Sequence, residues 1–152
     1  MALIEVNHNV EMGHRLSRQP DSRCFHLHGH SWRVFLRIAG PMDPISGMVM
    51  DFGPIKSAWR GWLDDNYDHH LLLNPEDPLI VHLLNHGGGF GEKTIEEWGI
   101  TLTDGCDPTV ENFAKMNYHW AKDHFQQYGQ MYKFHVKVFE AASNAAEYGE
   151  GV

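Results

Sequence analysis

Alternating histidines at the start of an apolar strand constrain this chain more than any other feature. The stretch from Arg23 to Val34 reads RCFHLHGHSWRV, and it places His26, His28 and His30 at every second position. Residues two apart in an extended strand face the same side. His28 and His30 can therefore present two imidazoles to one point, and Gly29 between them adds no side chain.

A third imidazole is available upstream at His14. Two neutral imidazoles on one side of a strand are a common beginning of a zinc site. We interpret His14, His28 and His30 as a metal centre with one open position. The alternative is a histidine-rich segment that only caps a strand. The chain contains 12 histidines, and their local clustering favours a chemical role.

Composition limits the class of protein and its partners. A chain of 152 residues with 42% hydrophobic residues fits one globular domain, residues 1–152. A formal net charge of −8 argues against nucleic acid or an acidic membrane as the main partner. No apolar run reaches the roughly 18–20 residues that span a bilayer. The N-terminus lacks the plan of a signal peptide, so we expect a cytoplasmic protein in which Cys24 and Cys106 are reduced thiols.

Hydrophobic periodicity predicts an α+β fold with one antiparallel sheet and helices on one face. The predicted strands are Ala2–Val10, His30–Ala39, a short return strand at Met48–Met50 that forms a hairpin with the second strand, a possible strand within Ile95–Leu102, Gln130–Glu140, and, after a turn at Ser143-Asn144, a short end strand around Glu147-Tyr148. The predicted helices are Gly53–Asp65 with Asp51 as its cap, a short helix at Leu79–Leu84, and one that begins after Asp107-Pro108-Thr109 with Asp107 or Thr109 as its cap.

Cys24 is the candidate base or nucleophile beside the histidines. It precedes His28 by four residues, close enough to share a metal cavity. A metal dication and nearby imidazoles favour the thiolate form of cysteine, which acts as a base or a nucleophile. The alternatives are a fourth zinc ligand and an inert loop thiol. Cys106 has no histidine near it in the sequence, and we interpret it as an ordinary thiol.

Asp68 and His69 form a second candidate pair. A carboxylate beside an imidazole fixes the tautomer of the ring and stabilises the imidazolium, as a proton-transfer histidine requires. The segment from Asn66 to Leu73 is predicted to be irregular, which adjacent residues need for this contact. The alternative is a histidine that the dipole favours at a helix C-terminus.

Glu140 ends the predicted final strand. A carboxylate at this place can accept two hydrogen bonds from an amidine-like N–H edge, such as that of a pterin or a guanine. The alternative is a solvated glutamate at a strand end.

Six motifs extend over most of the chain: GHRL (Gly13–Leu16), CFHLHGH (Cys24–His30), GMVMDFGPIK (Gly47–Lys56), DHHLL (Asp68–Leu72), PTVEN (Pro108–Asn112) and VFE (Val138–Glu140). In this order they resemble the family of 6-pyruvoyltetrahydropterin synthase and 6-carboxytetrahydropterin synthase. The four-residue step from Cys24 to His28 resembles the bacterial carboxytetrahydropterin branch, which feeds queuosine and other 7-deazaguanines.

The resemblance implies a role for each candidate residue. These are the Zn²⁺ ligands His14, His28 and His30, the catalytic trio Cys24, Asp68 and His69, and the pterin-binding residues Glu140 and Thr109. It also implies the tunnelling fold, with a four-stranded antiparallel sheet and two helices on one face. Subunits of that fold pair their sheets into a barrel, place each active site at a subunit interface, and assemble as a homohexamer of two stacked trimers.

The reaction so implied converts 7,8-dihydroneopterin triphosphate to 6-carboxy-5,6,7,8-tetrahydropterin, acetaldehyde and triphosphate. Two other hypotheses stay open at this point. One is a 6-pyruvoyltetrahydropterin synthase or a related pterin lyase with an altered substrate. The other is a non-catalytic zinc- or pterin-binding protein, although such a module has no need for all of Cys24, Asp68 and His69.

One segment departs from the compact members of the family. Residues 74–107 form a long insertion that includes the run Gly87–Gly89, and a lid, an interface arm and an altered pocket are its possible roles. Arg15, Arg23 and Arg33 are the basic residues near the motifs that are candidates to hold phosphate.

Overall fold

The computed structural model describes residues 1–86 and 93–151 of the chain. The glycine run Gly87–Gly89 lies outside the described residues. The strands are β1 (Ala2–His14), β2 (His28–Gly40), β3 (Leu71–Leu73), β4 (Ile100–Leu102), β5 (Lys133–Ala141) and β6 (Asn144–Gly149). The helices of the described part are α1 (Phe52–Asn66), α2 (Pro78–His86) and α3 (Val110–Phe125).

A long antiparallel hairpin of β1 and β2 forms the centre of the fold. Its pairing extends from Ala2 opposite Gly40 to His14 opposite His28. Over the described residues the complete sheet has the order β4-β3-β1-β2-β5-β6. Both long edges of β2 are paired, because β5 lies antiparallel on its other side. The metal-ligand candidates therefore lie at one end of the most extensively paired strands.

Helices α1 and α3 cover one face of this sheet. The buried side chains of α1 are Ile55, Trp59 and Leu63, and they join the same apolar cluster as the even-numbered residues of β2, such as Trp32 and Val34. Each large side chain buried in this way contributes about 1.5–3 kcal/mol to folding. Asp51 accepts a hydrogen bond from Gly53 N (2.8 Å) and caps α1, as predicted.

The predicted four-stranded antiparallel sheet with two helices is wrong in strand number and direction. The described sheet has six strands, and β3 pairs parallel both to β1 and to β4. The chain returns from α1 through an irregular joint and then adds Leu71–Leu73 beside the end of β1. This run of three leucines has the continuous apolar character of a strand buried on both faces. The antiparallel part of the prediction corresponds to β1, β2, β5 and β6.

The predicted return strand at Met48–Met50 is also wrong. Val49 and Met50 form a bend, and none of the three residues pairs in a strand. The sequence predicts that this segment pairs with β2, because it follows β2 directly. However, β1 and β5 already occupy both edges of β2. Tertiary pairing thus overrides the local preference of the segment.

The segment 74–107 builds a second apolar cluster at the β4 edge of the sheet. Its buried members are Leu73, Ile80 and Ile100, from β3, α2 and β4. The predicted short helix at Leu79–Leu84 is confirmed within α2, and the possible strand within Ile95–Leu102 is confined to β4. The described part of the segment therefore extends the sheet.

Candidate functional site

The register of the central hairpin brings the three histidines together. His14 is directly opposite His28, and His30 follows two residues later on the same face of β2. The ring centroid of His14 lies 4.5 Å from that of His28 and 5.3 Å from that of His30. One possible ligand atom from each ring lies within 4.8 Å of the others.

Backbone carbonyls orient two of these rings. Nδ1 of His14 donates to the carbonyl oxygen of Pro108 (2.7 Å), and Nδ1 of His28 donates to that of His26 (2.7 Å). A carbonyl oxygen can only accept, so Nε2 is left free for a metal in each neutral ring. Nε2 of His14 and Nε2 of His30 are buried without a hydrogen-bond partner. Three imidazoles with free nitrogens fit a zinc ion.

The protonation of His14 suits a metal ligand. Burial lowers the pKa of His14 from 6.5 to about 4, and this effect outweighs the hydrogen bond to Pro108, which raises it. The neighbouring His28 and His30 lower the pKa further. The His14 ring is therefore neutral at pH 7 and presents a lone pair at Nε2.

Cys24 lies in a short 3₁₀ turn beside the histidines. The turn spans Arg23–Phe25, and Ser22 caps it by accepting a hydrogen bond from Cys24 N (3.1 Å). Leu16 N donates to Cys24 O (2.8 Å), which ties the turn to the end of β1. Cys24 is a half-buried free thiol, and together with His14 it lines a cavity of about 380 Å³. This volume suits a small heterocyclic ligand.

Glu140 and Thr109 line the same cavity. Glu140 lies near the end of β5, and its Oε1 is 3.4 Å from Nε2 of His14 and 3.4 Å from Nε2 of His30. Thr109 caps α3, since its hydroxyl oxygen accepts a hydrogen bond from Asn112 N (3.2 Å). The structure thus places four of the eight predicted site residues around one cavity: His14, Cys24, Glu140 and Thr109. His28 and His30 lie beside this group, because they form the histidine cluster with His14.

Asp68 and His69 make the predicted contact with each other. Oδ2 of Asp68 accepts a hydrogen bond from Nδ1 of His69 (2.8 Å). The backbone of Glu11 holds both residues, because its N–H donates to Oδ1 of Asp68 (2.8 Å) and its carbonyl accepts from His69 N (2.7 Å). The His69 side chain is 80% exposed, and neither residue lines the cavity of Cys24 within the described part of the chain.

The pKa of Asp68 is lowered. The main cause is the hydrogen bond from the Glu11 backbone, and the contact with His69 lowers the pKa further against the effect of burial. Asp68 is therefore a carboxylate at neutral pH. It fixes the proton of the neutral His69 ring on Nδ1, which leaves Nε2 free to accept a proton.

Asp107 lines the cavity, although the sequence analysis considers it only as a helix cap. Its carboxylate accepts hydrogen bonds from Ser17 Oγ (2.9 Å), Arg18 N (2.9 Å) and Asn74 Nδ2 (3.2 Å). It thereby joins the loop that leads to Cys24 with the segment before α3. The Asp-Pro-Thr sequence marks a helix start, but no sequence signal indicates this distant loop as the partner.

The basic residues near the motifs have different surroundings. Arg15 Nε donates to the buried carboxylate of Asp77 (2.8 Å), and its guanidinium lies 4.6 Å from the ring centroid of Phe25. Arg23 and Arg33 are exposed. The segment 74–107 therefore supplies an acidic partner for Arg15 close to Cys24.

The sequence profile of the 6-pyruvoyl tetrahydropterin synthase family matches residues 3–151. The chain belongs to this family. It is 30% identical to a 6-carboxy-5,6,7,8-tetrahydropterin synthase of Rickettsia bellii over 91% of this chain and 94% of the relative. It is 27% identical to one of Aquifex aeolicus over 97% of both chains. These relatives support the class of tetrahydropterin synthases.

Solved structures share the fold. An uncharacterized protein of Wolinella succinogenes superimposes with a TM-score of 0.78 at 22% identity, over 99% of this chain and 100% of that one. The 6-pyruvoyl tetrahydropterin synthase of Caenorhabditis elegans superimposes with a TM-score of 0.68 at 20% identity, over 99% of this chain and 96% of that one. Among the described residues, no helix has the length and apolar character needed to cross a membrane.

Proposed function

We propose that this chain is a zinc-dependent 6-carboxy-5,6,7,8-tetrahydropterin synthase. It converts 7,8-dihydroneopterin triphosphate to 6-carboxytetrahydropterin, acetaldehyde and triphosphate, and supplies 7-deazaguanine (queuosine and preQ0) biosynthesis. The observation that carries the proposal is the convergence of three imidazoles, one of which, His14, lines a cavity together with Cys24 and Glu140. The names of the relatives from Rickettsia bellii and Aquifex aeolicus support the product.

His14, His28 and His30 hold the zinc ion in this proposal. When bound, zinc supplies a Lewis acid that polarises the oxygens of the substrate side chain and makes adjacent C–H protons easier to remove. The protein provides orientation, because Pro108 and His26 fix the direction of two rings through their carbonyl groups.

Cys24 and the Asp68–His69 pair transfer protons. The Cys24 thiolate accepts a proton at Sγ, and His69 exchanges one at Nε2 while the Asp68 carboxylate stabilises the imidazolium. His69 is exposed and outside the cavity of its own chain. We therefore assign the His69 of each site to a neighbouring subunit, in line with the interface sites that the resemblance implies.

Glu140 and Thr109 bind the pterin. Glu140 is half-buried at the cavity, where a carboxylate can accept two hydrogen bonds from the 2-amino and N3 edge of the ring. The Thr109 hydroxyl accepts from Asn112 N, so its proton is available to an acceptor of the ligand.

A homohexamer built as a dimer of trimers completes the proposal. The helices α1 and α3 cover one face of the sheet, and the opposite face carries half-buried side chains such as Phe35 and Phe139, whose rings lie 5.6 Å apart. Pairing of sheets into a barrel would enclose this face. Both cysteines are free thiols, which suits a cytoplasmic enzyme.

A product assay tests the proposed reaction. Zinc-loaded protein is incubated with 7,8-dihydroneopterin triphosphate, and the pterins and acetaldehyde are identified by mass spectrometry. We expect 6-carboxytetrahydropterin and acetaldehyde. A matched Cys24→Ala variant should keep its zinc and lose turnover, because it lacks the proposed base.

Other outcomes would contradict the proposal in different ways. A pyruvoyl product would move the protein to the 6-pyruvoyltetrahydropterin synthase branch. Zinc binding without any turnover of this substrate would indicate an altered substrate or a non-catalytic protein. Loss of zinc from the Cys24→Ala variant would show that Cys24 is a metal ligand.

A further inference from the structure

The contact of Glu140 with two histidines goes beyond a role in pterin binding. Its Oε1 is 3.4 Å from Nε2 of His14 and equally far from Nε2 of His30. Both of these nitrogens are buried and lack a hydrogen-bond partner. The side chain of Glu140 is only 17% exposed, so water screens its charge poorly.

Two hydrogen-bond acceptors face each other in this arrangement. His14 uses its Nδ1 proton for the carbonyl of Pro108, so Nε2 of the neutral ring carries a lone pair toward the Glu140 carboxylate. A buried acceptor opposite another acceptor is unfavourable, because neither gains the hydrogen bond that it loses from water. A cation bound between Nε2 of His14, Nε2 of His30 and Oε1 of Glu140 would accept a lone pair from each of these atoms.

The distances fit shared coordination of one ion. Metal–nitrogen and metal–oxygen bonds of zinc are about 2.0–2.2 Å, so two ligands of a tetrahedral zinc lie about 3.3–3.6 Å apart. The two measured separations of 3.4 Å fall in this range. We propose that Glu140 is the fourth protein ligand of the metal in the pterin-free protein. This inference rests on the three-histidine metal centre of the proposed function.

The same carboxylate then has two competing tasks. Anchoring the amidine-like edge of a pterin takes both oxygens of Glu140, whereas metal coordination takes Oε1. Binding of the pterin draws Glu140 off the ion and opens the position that a catalytic zinc site requires. Protein ligands thus fill every coordination position of the metal until the ring of the substrate is bound.

Cobalt(II) is a suitable probe, since its visible spectrum reports the number and type of ligands without any turnover. The spectrum and the dissociation constant of Co²⁺ are measured for the wild type, Glu140→Gln and Glu111→Gln. Glu111 is the matched control, because it also lines the cavity. We expect Glu140→Gln to change the visible bands and to weaken Co²⁺ binding at least 10–100-fold, whereas Glu111→Gln resembles the wild type.

Addition of unsubstituted pterin tests the exchange. Pterin should shift the wild-type spectrum toward that of Glu140→Gln, and it should leave the spectrum of Glu140→Gln unchanged. A Glu140→Asp variant, which keeps the charge but shortens the side chain, provides a second measurement if the amide disturbs folding. It should bind Co²⁺ with intermediate affinity.

Three results would overturn the inference. An unchanged spectrum and affinity in Glu140→Gln would leave the three histidines as the complete protein ligand set. A near-ultraviolet thiolate charge-transfer band that disappears in Cys24→Ala would assign the fourth position to Cys24. Failure of the wild type to bind Co²⁺ or Zn²⁺ at all would instead remove the metal centre of the proposed function, which distinguishes the two failures.

Discussion

Asp68 and His69 show how one residue of β1, Glu11, can hold a candidate proton-transfer pair that lies in a turn. Adjacent side chains rarely contact each other on a regular strand, and here the backbone of His69 adopts φ 60, in the left-handed region. A non-glycine residue in this region costs roughly 1–2 kcal/mol. The backbone N–H and carbonyl of Glu11 hold this conformation. This strained backbone conformation keeps the Asp68 carboxylate in hydrogen-bonding contact with the His69 imidazole.

The lowered pKa of Asp68 gives a pH dependence with a defined sign. A carboxyl group whose pKa is lower in the folded protein stabilises it above the unfolded pKa of about 3.9, and this contribution is lost as the pH falls through the folded value. We therefore expect the metal-free Asp68→Asn variant to lose less stability between neutral pH and pH 3 than the wild type. Denaturant unfolding of both proteins at several pH values measures this loss of stability. Parallel curves for the two proteins would contradict the expectation.

Individual residues of the site differ in how well the sequence predicts them. His28 and His30 are two apart in a clear strand, so their common face follows from the period of a strand. The approach of Glu140 to His14 depends on which strand pairs with β2, and the Pro108 carbonyl reaches His14 from 94 positions away. Such long-range contacts leave no local pattern.

At the level of elements, the turn before α3 connects the two halves of the site. Asp107 fastens the loop between β1 and β2, Pro108 orients His14, and Thr109 caps the helix. Three consecutive residues thus connect a candidate metal ligand, the loop of Cys24 and the cavity wall. The structure gives the acidic residue of this turn a positioning role.

Asp107→Ala should separate this loop from α3. The change leaves Ser17 Oγ and Arg18 N without their acceptor, so we expect a loss of about 1–3 kcal/mol in the free energy of unfolding and a fall in turnover. Denaturant titration and the product assay measure the two effects. Asp107→Asn, which keeps an acceptor oxygen, should recover part of both. The exposed Asp104→Ala is the control, and an equal loss there would contradict a specific role for Asp107.

The elements that sequence predicted best are those with a strong local signal. Asp51 and the apolar spacing of α1 define that helix, and β5 alternates clearly along Phe134, Val136 and Val138. The short strands β3 and β4 were missed or only suggested, because each has three residues and forms parallel pairs with distant partners. The predicted strand at Met48–Met50 does not form for a different reason: its expected partner, β2, has no free edge.

At the level of the whole molecule, the residues that we propose to transfer protons do not all line one cavity of a single chain. Cys24 lines the cavity with His14, whereas the exposed His69 does not line it. Within one subunit, the two halves of the proposed machinery therefore do not share this cavity. Symmetric association of identical chains is the common way to join such halves.

Mixing two inactive variants tests this division. Cys24→Ala and His69→Ala should each be inactive alone, because each lacks one proton-transfer group. If every site combines Cys24 of one subunit with His69 of another, random mixed oligomers should regain about one quarter of wild-type activity. Native mass spectrometry verifies that mixed oligomers form. Their formation without any recovered activity would place both groups of a site in the same chain.

The direct pairing of His14 with His28 has a consequence for the loop between them. These residues are the last and first of their strands, so an ion bound to both would act as a clasp across the base of residues 15–27. Closing a short loop reduces the conformational freedom of everything inside it. Cys24 lies inside this loop. Occupation of the proposed metal centre would therefore restrict the loop that carries the proposed base.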